Sequence, residues 1–145
     1  MTGKLSGGCL CGAVTYEAAG EPAVVGHCYC DDCRKSSGTA HCTHVGIVAD
    51  LLTLSGRLQS YDKPADSGNV ITRSFCPECG SPIHSANSGM PGMLFLRASS
   101  LDNLDNIRPQ MTVYAARAPA WAQLDRSGPI FDEMPPPQDM PDSMA

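Results

Sequence analysis

The chain has 145 residues, 42% of them hydrophobic and 17% charged, with a formal charge of −5. That is one domain's worth of sequence with enough apolar content for a core, and the 6% aromatic share makes that core mainly aliphatic. The acidic balance disfavours nucleic-acid partners, and the longest apolar run, residues 46–54, is too short to span a membrane and is broken by Asp50.

The start of the chain, Met1 to Gly8, carries no apolar signal segment, so the expected location is the cytoplasm, where thiols stay reduced. Residues 4–18 read as a strand, a kink and a second strand, because Val14, Tyr16 and Ala18 alternate with Thr15 and Glu17. Cys9 and Cys11 sit at the kink among Gly7, Gly8 and Gly12. Two sulfurs on one tetrahedral ion lie about 3.7 Å apart for bonds of ~2.3 Å, closer than a flat strand would hold them. The flanking glycines allow the backbone to curl around an ion.

Val24 to Cys28 reads as a short strand running into Cys28-Tyr29-Cys30-Asp31-Asp32-Cys33-Arg34-Lys35, which places three thiols just before two cations. Asp31 and Asp32 offer an N-cap, Cys33 to Ser37 a helical turn, and Gly38 a stop. Cys33 would then lie in a first turn, where backbone N–H groups favour its thiolate. Arg34 and Lys35 are either a solvated pair or an anion site for a substrate carboxylate.

Thr39 to Leu54 is rich in strand formers and reads as one or two strands. Within it Cys42 has no cysteine partner nearby and reads as a small buried hydrophobe. His41 and His44 are spaced like ligands, and a role on a second metal is their lesser reading. Leu58 to Tyr61 is a further strand and Lys63 to Asn69 a polar loop. Val70 to Phe75 leads into Cys76-Pro77-Glu78-Cys79-Gly80, and Ser81 to Ser85 leads out, a hairpin whose turn needs a left-handed residue at Gly80. Met93 to Ala98 and Met111 to Ala116 are the last strands expected.

An unexported chain with such tight cysteine spacings argues against a disulfide framework. Seven of the eight cysteines, all but Cys42, fall into CxC, CxCxxC and CxxC groups and read as metal ligands. The CxC group favours zinc over a single iron held by two CxxC knuckles. Seven thiols divide into one closed four-sulfur site and one three-sulfur site with an open position, the first structural and the second able to do chemistry.

In this order and at these separations, GGCLCGAVTY, CYCDDCRKSSG and FCPECGSPI resemble the glutathione-dependent formaldehyde-activating enzyme family, which includes centromere protein V. The resemblance runs from about Leu5 to Phe131. It implies a mainly β fold of small zinc-stabilised sheets with a CxxC zinc-ribbon-like hairpin. It implies a structural zinc on Cys9, Cys11, Cys76 and Cys79, and a catalytic zinc on Cys28, Cys30 and Cys33, hence two zinc ions per chain. Residues 1–133 would form the single catalytic-type domain and 134–145 an irregular or disordered Pro/Met-rich tail.

The implied activity is that of a carbon–sulfur lyase that joins glutathione, or a similar thiol, to a small aldehyde such as formaldehyde. Three thiolates on zinc leave it poorly suited to activating water and better suited to holding a fourth sulfur as thiolate. Cys30, in the middle of the run, is the ligand expected to give way to that sulfur. A non-catalytic zinc scaffold or a thiol-based metal or redox sensor are the alternatives. Two positions depart from the family: Tyr29 and Met111 stand where relatives often carry histidine. Trp121, followed by Gly128-Pro129-Ile130-Phe131, fits the family ending and is expected to pack in the core, or else to wall the substrate pocket.

Overall fold

The computed structural model describes residues 3–140. In chain order these form β1 (Lys4–Gly8), β2 (Thr15–Ala19), β3 (Val24–Cys28), α1 (Asp31–Lys35), β4 (Cys42–Val48), β5 (Leu52–Ser55), β6 (Gln59–Pro64), β7 (Val70–Phe75), β8 (Pro82–Asn87), β9 (Met93–Arg97) and β10 (Met111–Val113), joined by loops and short 3-10 turns. The fold is mainly β, as expected. A small sheet has the order β1-β2-β5 and a seven-stranded sheet the order β10-β3-β4-β9-β8-β7-β6. Apart from the parallel β10–β3 pair, neighbouring strands are antiparallel.

Side-chain alternation explains how the sheets stack. In β2, Tyr16 and Ala18 are buried while Thr15, Glu17 and Ala19 face solvent. Their buried face meets Val25, Val45, Ile47, Ile83 and Leu96 of the large sheet in one cluster with Leu5 and Val14. Each aliphatic side chain so removed from water contributes roughly 1.5–3 kcal/mol. The phenol of Tyr16 crosses to the Ser100 hydroxyl at 2.6 Å. Gly7 allows this approach, since a Cβ there would collide with the Ser100 carbonyl and the Tyr16 ring.

The other face of the large sheet carries a second cluster of Val24, Cys28, Cys33, Cys42, Met111 and Val113. Register sets its membership: Cys28 pairs with Cys42, Gly26 with His44, and His44 with Arg97. Directly paired residues share a face, so Cys28, Cys42, His44 and Arg97 all project to the same side.

Several expectations are corrected. The helix starts at Asp31 rather than Cys33, and its N-cap is Cys30, whose Sγ accepts from the Cys33 N–H at 3.3 Å. Strand β6 runs through Lys63 to Pro64, which pairs with Val70, so the polar loop is shorter than expected. The last strand stops at Val113, because Tyr114 takes a left-handed φ of 56° and the chain turns away. Trp121 is 71% exposed and not part of the core. Of the segment from 134, Pro135 is buried, 137–139 make a 3-10 turn and Met140 packs on the second cluster; its remainder, 141–145, lies outside the described residues.

Candidate functional site

Four thiols meet where the β1–β2 turn touches the β7–β8 turn. The Cys9, Cys11, Cys76 and Cys79 sulfurs all lie within 4.8 Å of one another. Local chemistry shapes both turns. Gly12, at φ 86°, and Gly80, at φ 79°, take left-handed conformations that other residues resist. The curl expected between Cys9 and Cys11 is present, with Cys9 N–H donating to Val14 O at 3.0 Å and Gly12 N–H to Cys9 O at 3.3 Å. Sulfur separations of 3.6 Å for Cys9–Cys11 and 3.8 Å for Cys11–Cys76 bracket the ~3.7 Å of two thiolates on one tetrahedral zinc.

Backbone N–H groups also point at these sulfurs, from Val14 to Cys9 at 3.2 Å and from Glu78 to Cys76 at 3.4 Å. Ser81 holds the Cys79 thiol down to about 5 through its hydroxyl and its N–H, and that hydroxyl also accepts from Leu10 N–H at 3.0 Å. Such N–H···S contacts stabilise thiolates in the way a soft divalent cation requires. The donor set therefore fits a closed zinc site.

The sulfurs of Cys28, Cys30 and Cys33 form a second group, also within 4.8 Å of one another. Cys28 and Cys33 are buried and Cys30 is half-buried. Among these three, Cys30 is the thiol that charges first. Hydrogen bonds from the Cys28 and Cys33 thiols, joined by the N–H groups of Cys33 and Asp32, hold it far below the ordinary thiol range. Cys28 is pushed up to about 12, chiefly by Cys30, and Cys33 is pushed up by its two thiol neighbours. This corrects the expectation that Cys33 would gain from the helix start: its own N–H points at the Cys30 sulfur. Three soft donors around a half-buried centre suit zinc with a vacant position.

Sequence reasoning underrated two residues beside this triad. His44 directs Nε2 to Cys33 Sγ at 3.3 Å, and Cys42 donates its thiol to Cys33 O at 3.0 Å. Burial, and secondarily the charge of Arg97, lowers the His44 pKa to about 3, so its ring is neutral. His41 goes elsewhere, stacking on Tyr29 with ring centroids 4.9 Å apart. The available signal was strand parity, since residues 42 and 44 share a face. Their neighbour across the sheet is set by register, which spacing does not give.

The helix that carries Cys33 also walls a cleft of about 730 Å³ lined by Asp31, Arg34, Lys35, Arg117 and Trp121 among others. Asp31 sits between Arg34 at 3.7 Å and Arg117 at 3.5 Å, and Lys35 lines the same cleft. Lys63 ties α1 from outside, bonding Asp32 at 2.9 Å, and the buried Arg97 ties its end, donating to Ser36 O and Ser36 Oγ at 2.8 Å each. Among the described residues no helix is long and apolar enough to cross a membrane.

No match is found among curated proteins. Among solved structures, the fold is similar to the crystal structure of a Rhodobacter sphaeroides protein, a structural genomics target, with a TM-score of 0.55 and 22% identity over 72% of this chain and 91% of that one. The family model described as glutathione-dependent formaldehyde-activating enzyme matches residues 4–117, a span that holds both thiol groups. The chain thus belongs to the glutathione-dependent formaldehyde-activating enzyme family.

Proposed function

We propose that this protein is a zinc-dependent carbon–sulfur lyase that adds a thiol, glutathione or a close analogue, to a small aldehyde such as formaldehyde. The observation that carries this reading is the pairing of a half-buried three-thiol group with a cationic cleft on one short helix. Cys28, Cys30 and Cys33 would hold the catalytic zinc, and Cys9, Cys11, Cys76 and Cys79 the structural one. A zinc ion at the first of these sites supplies the positive charge that keeps a substrate sulfur ionised at neutral pH.

The chain's own residues then bind and orient. Arg34, Lys35 and Arg117 attract the carboxylates of a glutathione-like thiol, and the exposed Trp121 ring offers an apolar wall. The substrate thiol gives up its proton, its sulfur bonds to the aldehyde carbon, and the carbonyl oxygen takes up a proton to become a hydroxyl. The product is an S-hydroxymethyl thioether, with every atom of both reactants retained. Tyr29 is buried and its ring stacks on His41, so it is not offered to the substrate.

Residues 1–133 are read as the catalytic domain and the remainder as an appended segment. The same reading places the protein in the cytoplasm, with no nucleic-acid partner. The test is NMR exchange spectroscopy on glutathione and formaldehyde with micromolar zinc-loaded protein. Acceleration that disappears in Cys33→Ser supports the proposal; no acceleration over buffer removes it.

A further inference from the structure

Cys42 and His44 take no part in the proposed reaction, yet both lie against its metal centre. The sulfurs of Cys33 and Cys42 and a ring nitrogen of His44 are all within 4.8 Å of one another. We propose that these three residues form a second seat for a divalent metal, sharing Cys33 with the Cys28–Cys30–Cys33 triad. The centre then has five potential ligands in two overlapping sets.

Three observations converge on this arrangement. First, the sheet builds it: Cys28 and Cys42 are paired across β3 and β4, and His44 follows on the same face. Second, the ring is aimed. Nε2 lies 3.3 Å from Cys33 Sγ, while Nδ1 is buried without a partner, so the sulfur is the one polar contact of this ring among the described residues. A sulfur and an imidazole nitrogen on one tetrahedral ion, with bonds of ~2.3 and ~2.0 Å, stand about 3.5 Å apart, close to what is found.

Third, charge permits it. A divalent ion with two thiolates and a neutral imidazole is neutral overall, whereas three thiolates leave a net negative charge to be desolvated. Arg97, paired with His44 across β4 and β9, is buried on the same side and fastens the end of the helix through Ser36. Cys33 is thus held close to both sets at once. Occupying the second seat would replace the hydrogen bond from Cys42 to Cys33 O and take the thiol proton.

This inference rests on the reading of the triad as a metal centre but not on the reaction assigned to it. The experiment counts cobalt(II) bound by the full-length double variant Cys28→Ser/Cys30→Ser and records its visible spectrum. The four-thiol site takes one equivalent. A second equivalent with tetrahedral bands, lost on adding either Cys42→Ser or His44→Gln, is the expected result. Only one equivalent, or a second whose spectrum ignores both added changes, overturns the proposal.

Should the double variant not fold, cadmium-113 in the unaltered chain answers the question. Coupling between the metal and the His44 ring protons supports the second seat. A full complement of cadmium with no coupling to His44 overturns it. Neither readout depends on glutathione or formaldehyde, so this proposal and the lyase reading fail separately.

Discussion

The two thiol groups are assembled in opposite ways. Cys9, Cys11, Cys76 and Cys79 come from turns separated by 65 residues and fasten the small sheet to the far hairpin of the large one. Cys28, Cys30 and Cys33 come from six consecutive residues at the mouth of one helix. A metal that closes a long loop removes much more freedom from the unfolded chain than one that closes a short loop. The first group is therefore placed to hold the fold. A metal on the second would add little cross-linking, which suits the chemical role proposed for it, beside a cleft lined by Arg34, Lys35 and Arg117.

The comparison breaks most visibly at Cys76, which is fully buried at the junction. On the proposed reading, Cys76→Ser is expected to release the zinc of the four-thiol group and lower the melting temperature by more than ~10 °C, because metal binding and folding are coupled. A thermal melt followed by circular dichroism reads this directly. If the variant melted with the parent, the closed site would not be the clamp.

Next in size is Cys33→Ser, expected to reduce the thiol–aldehyde exchange at least ~100-fold. Its melting temperature should shift by no more than a few degrees. A loss of stability as large as that of Cys76→Ser would erase the contrast between the two groups.

The cleft gives a smaller effect. Replacing Lys35 or Arg117 by alanine should raise KM for glutathione by about 10-fold each, the worth of one charge-assisted hydrogen bond, with kcat little changed. Steady-state kinetics at low salt separate the two constants. Unaltered KM values would move the carboxylate site elsewhere.

The smallest expected effect lies in the small sheet itself. Tyr16→Phe removes the bond to Ser100 and should cost about 1 kcal/mol. Burial, with a further contribution from the charge of Asp102, pushes the Tyr16 phenol up to about 12 from its ordinary value of 10.0, while the Ser100 hydrogen bond pulls it back. The raised value means that the folded state favours the neutral phenol. Its contribution is complete below pH 10 and is lost as pH climbs towards 12. The phenylalanine variant should lack that share of the alkaline destabilisation, as measured by denaturant melts across the range.

Much of the molecule is legible in its sequence because the signals are local. The glycines around Cys9 and Cys11, the CPECG turn with left-handed Gly80, and the alternation of Val14, Tyr16 and Ala18 each fix a few residues by their own stereochemistry. The bounds of β3 and β7 could be read for the same reason. Errors arose at element ends and at side chains whose residue type did not fix their surroundings. Two errors were local: Lys63 pairs with Ile71 and Pro64 with Val70 in a hairpin tighter than the loop expected there, and Tyr114 turned the chain before the last strand could reach Ala116. Trp121 looked like core by residue type, but it lies past the sheet on the rim of the cleft.

By itself, then, the sequence determined the mainly β character and seven thiols grouped at spacings suited to metal. It did so because alternation and the spacing of neighbouring thiols are local features, whereas the meeting of Cys9 and Cys11 with Cys76 and Cys79 joins positions 65 residues apart. The tertiary structure alone decided that Cys42 and His44 stand beside Cys33, that Arg97 secures the helix, and that Arg117 and Trp121 complete the cleft. These follow from strand register and sheet stacking, which are fixed by burial across the whole chain rather than by any local run of residues.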